Sequence, residues 1–93
     1  MTIRVADWLL ARLADEGIHH IFMLPGGGAM YLNDALACEP RVAAVPCHHE
    51  QAAAIAAQAY AMQCGGFGAC LVTTGPGGVN ALTGCAAAYV DST

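Results

Sequence analysis

The sequence PCHHEQAAAIAAQAYA, residues 46–61, places a carboxylate where a short apolar strand is followed by a long helix. The helix, predicted over residues 48–64, consists mostly of Ala with Ile and Tyr, which is typical of a buried helix. A charge at the end of a buried helix is costly unless it has a partner or a changed pKa. Glu50 is therefore the first candidate functional residue, and the apolar helix behind it is expected to raise its pKa. The structural alternative is that Glu50 only stabilises the positive end of the helix dipole.

Helix and strand signals alternate on both sides of this stretch. A helix is expected to begin with Thr2 as its N-cap and to end at Gly17. Strands are predicted over residues 18–24, 41–46 and 68–73, and further helices over residues 29–37 and 79–89. This alternation predicts an α/β fold with a three-layer parallel sheet, helices on both faces and right-handed crossovers. The strand over residues 68–73 is apolar on both faces, so we expect it in the interior of the sheet.

The composition indicates one small domain with an apolar surface. The chain has 93 residues, of which 11% are charged and 57% are hydrophobic, with three Arg and no Lys. Average chains carry about 25% charged residues. We expect that more chain or another subunit covers much of this surface, and that residues 1–93 are the N-terminal part of a longer protein. The alternative is a complete small domain.

Charge and cysteine usage narrow the class of protein. The net charge is −4 and there is no basic run, so we expect neither nucleic acid nor an anionic membrane as a partner. The apolar runs are too short and interrupted for a membrane span, and the first residues do not form a signal peptide. The five cysteines form no Cys-x-x-Cys pair, so we expect reduced thiols in a cytoplasmic protein.

Three turns follow the predicted strands, at the edge of a parallel sheet where ligands bind. They read LPGGG at residues 24–28, CHHEQ at residues 47–51 and TTGPGGVN at residues 73–80. All three are expected to line one pocket. The glycine turns lack the spacing of a dinucleotide-binding loop and the Lys of a Walker A loop. Their Pro and Gly residues fit a rigid wall against a planar ring or, alternatively, tight turns that need the freedom of glycine.

The histidines near Glu50 do not have the spacing of a metal site. Zinc ligands on a helix are three or four residues apart, whereas His48, His49 and Glu50 are adjacent and point in different directions. We therefore expect no metal site in this chain. His48 or His49 is interpreted either as a wall or proton relay of the pocket or as a structural histidine.

Several segments, taken in order, carry a family resemblance. They are LPGG at residues 24–27, HEQAA at 49–53, AYA at 59–61, LVTTGPG at 71–77 and AYVDS at 88–92, together with Asn80. The chain resembles, over essentially its whole length, the N-terminal pyrimidine-binding (PYR) domain of thiamine-diphosphate-dependent enzymes of the acetolactate synthase-like family. Residues 1–93 are expected to be the N-terminal part of that domain, a partial PYR domain without the central and diphosphate-binding domains. The chain departs from the usual pattern at Met62 and at Gly66-Phe67, where relatives often carry basic residues.

The resemblance implies roles for individual residues. Glu50 is expected to be catalytic, since its counterpart hydrogen-bonds N1′ of the cofactor's aminopyrimidine and so activates the cofactor. Cofactor contacts are implied for Leu24, Pro25, Gly26, Glu50, Thr73, Pro76 and Asn80. Positions at the substrate pocket are implied for Gly27, His49 and Gln51.

The resemblance also implies what surrounds the chain. The cofactor is thiamine diphosphate, whose diphosphate and Mg²⁺ are held by a carboxyl-terminal domain that is not part of this sequence, and FAD is compatible with the full-length protein. The reaction is decarboxylation or carboligation of a 2-keto acid such as pyruvate. The active site lies between subunits of a homodimer or homotetramer, so we expect residues 1–93 alone to be inactive.

Two other readings remain at this point. One is a non-catalytic association or regulatory module that keeps the fold, which an intact Glu50 argues against. The other is a flavodoxin-like nucleotide binder that uses Gly26, Gly27 and Gly28.

Overall fold

The computed structural model describes residues 3–91, an alternating α/β chain. In that range, α1 is Val5–Asp15, β1 is His20–Met23, α2 is Met30–Cys38, β2 is Ala43–Pro46, α3 is Glu50–Cys64, β3 is Cys70–Leu71 and α4 is Pro76–Val90. A 3-10 turn at Gly27–Ala29 leads into α2. Thr2 and Ser92 lie outside the described residues, and the N-cap of α1 is Arg4.

The three strands form one parallel sheet with the order β2-β1-β3, so the first strand is central. The side chains of β1 alternate as a strand between two layers requires. Ile21 and Met23 are buried in the main apolar core, whereas Phe22 makes an edge contact with the ring of Tyr60 on α3. The sheet is therefore covered on both faces.

Helices occupy both sides of this sheet. The main core combines Ile21 of β1 with Leu10 of α1 and Leu36 of α2, which places α1 and α2 on one face. Helix α3 lies on the other face, where Tyr60 contacts Phe22, and α4 packs against α3. The predicted three-layer α/β architecture with helices on both faces is confirmed.

Helices α3 and α4 pack without large side chains between them. Gly84 of α4 lies so close to α3 that a Cβ atom built on it would be 2.3 Å from Cβ of Ala54. The buried residues of α3 are alanines, namely Ala53, Ala54, Ala57 and Ala61. Small side chains on both helices let the two backbones approach closely.

Two expectations about burial are wrong for residues 3–91. β3 is two residues long and pairs only with β1, so it is an edge strand and not an interior strand. Helix α3 is buried along one side only, because Ile55 is 42% exposed and Met62 is 62% exposed. Continuous apolar runs predicted full burial, but in this range nothing covers the outer sides of these elements.

Helices α1 and α3 both end at glycines, and the end at Gly17 is the predicted one. Gly17 has a φ of 91° just after α1, and Gly65 has a φ of 70° at the end of α3, where its N–H donates to the carbonyl of Ala61 at 2.9 Å. Only glycine adopts this left-handed conformation without strain. The longest helices between residues 3 and 91 have 15 residues, and none is long and apolar enough to cross a membrane.

Candidate active site at the carboxyl edge of the sheet

The site lies at the point of the sheet where the chain, after adding β2 on one side of β1, adds β3 on the other side. From β1 the chain passes through α2 to β2, and from β2 it passes through α3, on the opposite face, to β3. The carboxyl ends of β1 and β3 therefore form the topological switch point of the sheet, which is the place where open parallel sheets bind ligands. We call this place the crevice. The first glycine turn, residues 25–28, follows β1, and the second glycine turn, residues 74–78, follows β3.

Thr73 connects the two glycine turns. Its Oγ1 accepts a hydrogen bond from the N–H of Gly28 at 3.0 Å. A Cβ atom built on Gly26 would lie 2.5 Å from Cβ of Thr73, so the backbone of the first turn rests directly on this side chain. The first glycine turn therefore lies next to the residue that precedes the second.

Glu50 enters the same crevice from the first residue of α3. Its Oε1 accepts a hydrogen bond from Nδ2 of Asn80 on α4 at 3.2 Å. A Cβ atom built on Gly77 would lie 3.6 Å from Oε2 of Glu50, so the carboxylate also borders the second glycine turn. Glu50 is partly buried, and within residues 3–91 no side chain donates a hydrogen bond to its Oε2.

The pKa of Glu50 is lowered, and the expectation that the apolar helix would raise it is wrong for this chain. The main cause is hydrogen bonding by its own main-chain N–H, followed by the amide of Asn80; burial acts in the opposite direction and is weaker, and nearby His49 adds a small lowering effect. The apolar side of α3 faces the sheet and α4. The carboxylate lies at the helix N-terminus, where N–H groups favour the ionised form.

The electrostatic setting of Glu50 differs from that of most other acids in the chain. Five of the seven carboxylates pair with an arginine, through the contacts Arg4–Asp7, Arg4–Asp34, Arg12–Glu16, Arg41–Asp15 and Arg41–Glu39. Glu50 instead has a neutral amide partner. A carboxylate without a cationic partner can exchange its proton with a bound group without breaking an ion pair.

His49 has a structural role in this arrangement. It is the N-cap of α3, and its Nδ1 accepts a hydrogen bond from the N–H of Gln51 at 3.1 Å. Both His49 and Gln51 are exposed, as are Pro25, Gly27 and Pro76 at the rim of the crevice. Of the predicted site residues, the described contacts join Gly26, Thr73, Glu50 and Asn80 into one group.

Asn33 is a site neighbour that the sequence analysis did not identify. Its Nδ2 donates to the carbonyl of Gly26 at 3.4 Å, and its Oδ1 is buried without a hydrogen-bond partner in the described part of the chain. The spacing of three residues from buried Leu36 places Asn33 beside the buried face of α2, which is the signal that could have identified it. The amide of Asn33 therefore holds the first glycine turn against α2.

The polar groups at the crevice are arranged for hydrogen bonding. Between residues 3 and 91, no three His, Cys, Asp or Glu side chains lie close enough together to hold a metal ion. The crevice instead combines one carboxylate, one amide and the backbone of two rigid turns. Such a set suits a planar heterocycle that is held by hydrogen bonds.

Comparisons with known proteins identify the family of the chain. The sequence profile of the family described as "Thiamine pyrophosphate enzyme, N-terminal TPP binding domain" matches residues 3–93. Over 87 residues, or 94% of the chain, it is 45% identical to the acetolactate synthase large subunit of Buchnera aphidicola subsp. Schizaphis graminum, of which it covers 15%. Over the same share of the chain it is 42% identical to the acetolactate synthase isozyme 2 large subunit of Escherichia coli (16% covered). It is 38% identical to the chloroplastic acetolactate synthase of Arabidopsis thaliana (13% covered). The chain therefore belongs to the thiamine pyrophosphate enzyme family, and residues 3–93 match its N-terminal TPP-binding domain.

Proposed function

We propose that this chain is the pyrimidine-binding part of a thiamine-diphosphate-dependent 2-keto acid decarboxylase or carboligase of the acetolactate synthase type. The observation that carries the proposal is the setting of Glu50. Its carboxylate is partly buried at the crevice and accepts a hydrogen bond from the neutral amide of Asn80 at 3.2 Å. Family membership supports the cofactor, and the names of the relatives support the reaction class.

The carboxylate, the amide and the backbone of the two turns are the kinds of group that would hold the aminopyrimidine ring of the cofactor. Oε1 of Glu50 accepts a hydrogen bond from Asn80, so Oε2 would be the oxygen that meets the ring nitrogen N1′ when the cofactor is bound. When bound, thiamine diphosphate supplies the electron sink for carbanion chemistry at the carbonyl carbon of a 2-keto acid. Glu50 is the catalytic residue, because it holds and exchanges the proton at N1′.

The lowered pKa of Glu50 belongs to the open crevice. A ring and a second protein surface that covered the carboxylate would remove water from it, and this desolvation acts against the lowering of its pKa. The amide of Asn80 would orient the carboxyl group of Glu50 whether that group is ionised or protonated on Oε2, since Oε1 can accept a hydrogen bond in either state.

The rigid turns supply the walls for the ring. The N–H of Leu24 is bonded to the carbonyl of Leu71 at 3.1 Å, so the backbone that enters the first glycine turn is fixed by the sheet. We assign Leu24, Pro25 and Gly26 to one wall and Pro76 to the other. Gly27, His49 and Gln51, at the exposed rim, are assigned to the side of the crevice that the substrate enters.

The site is completed by parts of the protein beyond this chain. The chain spans about 15% of the length of the relatives it matches, and residues of α4 such as Leu82 and Tyr89 are 60% and 86% exposed. We propose that it is the N-terminal part of a longer protein that forms a homodimer or homotetramer, with pyruvate or a related 2-keto acid as substrate. The diphosphate and Mg²⁺ belong to the carboxyl-terminal domain, and FAD is a second cofactor to be tested in the full-length protein. The five free cysteines agree with a cytoplasmic location.

The test compares Glu50→Gln with Asp91→Asn in the full-length protein. Asp91 also accepts a hydrogen bond from an amide, Nε2 of Gln58 at 2.9 Å, but it is exposed and follows the last residue of α4. Glu50→Gln should reduce thiamine-diphosphate-dependent turnover of pyruvate by about 10²- to 10⁴-fold, since the amide cannot exchange the proton. Asp91→Asn should leave turnover unchanged.

Near-normal turnover in Glu50→Gln would exclude the proton-exchange role. A wild-type protein that assembles but neither binds thiamine diphosphate nor turns over a 2-keto acid would instead favour the association module. Tight binding of FMN or NAD in place of thiamine diphosphate would favour the nucleotide binder.

A further inference from the structure

Three glycines from two separate turns surround the side chain of Thr73. A Cβ atom on Gly26 would lie 2.5 Å from Cβ of Thr73, one on Gly28 would lie 2.9 Å from its Oγ1, and one on Gly77 would lie 3.0 Å from its Cγ2. None of the three glycines has a positive φ; Gly26, for example, is extended with a φ of −165°. The space that a Cβ atom would need is taken by Thr73 at Gly26 and Gly77, and by Thr73 together with Oγ1 of Thr74, at 2.7 Å, at Gly28. The backbone conformation does not itself require glycine at these positions.

The hydroxyl of Thr73 adds a directed contact to this fit. The N–H of Gly28 lies in the 3-10 turn that precedes α2, where the first N–H groups lack partners within the helix. It donates to Oγ1 of Thr73 at 3.0 Å. A β-branched side chain such as Thr has few rotamers, so the acceptor is presented in a fixed direction.

The same side chain reaches the surroundings of Glu50. The Cβ position of Gly77 is 3.0 Å from Cγ2 of Thr73 and 3.6 Å from Oε2 of Glu50. The methyl group of Thr73, the first turn of α4 and the carboxylate therefore share one small volume. The side chain of Thr73 lies between the first glycine turn and the surroundings of Glu50, so its size sets the distance between them.

We infer that Thr73 is a positioning residue whose hydroxyl and methyl group clasp the two glycine turns at a fixed distance from Glu50. This inference rests on the proposed function for its link to thiamine diphosphate. Thr73 acts on the cofactor through the backbone of the first glycine turn, and not through a hydrogen bond of its own to the ring.

The first experiment measures amide hydrogen exchange in the full-length protein without cofactor, in peptides that contain Gly28. Thr73→Val keeps the branched shape but removes the acceptor, so exchange of the Gly28 amide should become about tenfold faster. Thr73→Ser keeps the hydroxyl and should exchange like the wild type. Thr83→Val is the control, because Thr83 is exposed on α4 and is not among the groups that lie against Gly28.

Binding of thiamine diphosphate to the same variants links the clasp to the site. Thr73→Val should bind about tenfold more weakly than Thr73→Ser, in parallel with the exchange rates. Weaker binding with unchanged exchange would mean that Thr73 contacts the ring directly, and would overturn the clasp. If the wild type binds no thiamine diphosphate while the exchange pattern holds, the clasp stands and the proposed function fails.

A pair of glycine variants tests the fit without the hydrogen bond. Gly77→Ala should lower the melting temperature in the Thr73 background, where the new methyl meets Cγ2 at 3.0 Å. Combined with Thr73→Ser, which lacks that methyl, Gly77→Ala should have no such effect. An equal loss in both backgrounds would overturn the inference, and Gly66→Ala, which points into open space, is the control.

Discussion

Helices α3 and α4 are joined at two points by the same kind of bond, and the two points have different surroundings. Near the start of both helices, Nδ2 of Asn80 donates to Glu50 at 3.2 Å. Farther along, Nε2 of Gln58 donates to Asp91 at 2.9 Å. Asp91 is exposed at the end of α4, whereas Glu50 is partly buried between two rigid turns at the carboxyl edge of the sheet.

The comparison shows that a carboxylate–amide bond is not by itself a sign of catalysis. Both bonds hold the same helices together, but only the one with Glu50 lies at the crevice between β1 and β3. Only at that end do glycine turns bring main-chain groups and a helix N-terminus beside the carboxylate. The location of the bond in the fold, and not its chemistry, separates a site from a structural link.

The largest expected effect comes from disturbing both points at once. Gly84 lies between them, and Gly84→Ala would place a methyl group 2.3 Å from Cβ of Ala54. Separating the helices should destabilise the protein by about 1–3 kcal/mol, even after the roughly 1 kcal/mol that alanine adds to helix stability. Chemical denaturation measures the loss, and Gly66→Ala is the control. A Gly84→Ala protein as stable as the wild type would show that the close approach does not hold the pair together.

A second experiment separates the two bonds. Asn80→Ala should lower thiamine-diphosphate-dependent turnover by about tenfold, because Glu50 loses the donor that orients it. Gln58→Ala removes the same kind of donor at the other point and should leave turnover unchanged. Steady-state kinetics of both variants in the full-length protein decides between these outcomes. Equal losses would mean that the amides act only by joining the helices.

The pKa of Glu50 gives a further test of Asn80. Because the amide is the second cause of the lowered value, Asn80→Ala should raise the pKa of Glu50 in the cofactor-free protein, and Gln58→Ala should not. Carboxyl-carbon NMR titration with labelled glutamate measures the change. An unaltered titration in Asn80→Ala would assign the lowering to the helix N-terminus alone.

The smallest expected effect is the dependence of stability on pH. Glu50 has a lowered pKa in the folded state, so its contribution to stability is present above its ordinary value of 4.5 and is lost as the pH falls through the lowered value. The stability difference between wild type and Glu50→Gln should therefore shrink from pH 6 to pH 3. Denaturation midpoints across this range measure it, and a difference that grows on acidification would contradict the assigned direction.

Local signals in the sequence were sufficient for the order of the elements and for the candidate catalytic residue. Proline, glycine and apolar periodicity marked each helix and strand to within a few residues, and the change from strand to helix at His49 singled out Glu50. The exception was β3, whose apolar run predicted an interior strand, although it pairs only with β1 in the described chain. An apolar run indicates that a segment is buried, but it does not indicate whether another strand, a helix or another subunit buries it.

By itself, the sequence determined the α/β class, the three turns and the family to which the chain belongs, because these depend on residues that are close together along the chain. The tertiary structure alone decided that Thr73 fits among three glycines, that Asn80 reaches Glu50 and that the pKa of Glu50 is lowered. The residues in these contacts are up to 47 positions apart, as for Gly26 and Thr73. Their meeting depends on the strand order β2-β1-β3 and on the close approach of α3 and α4, which no local pattern encodes.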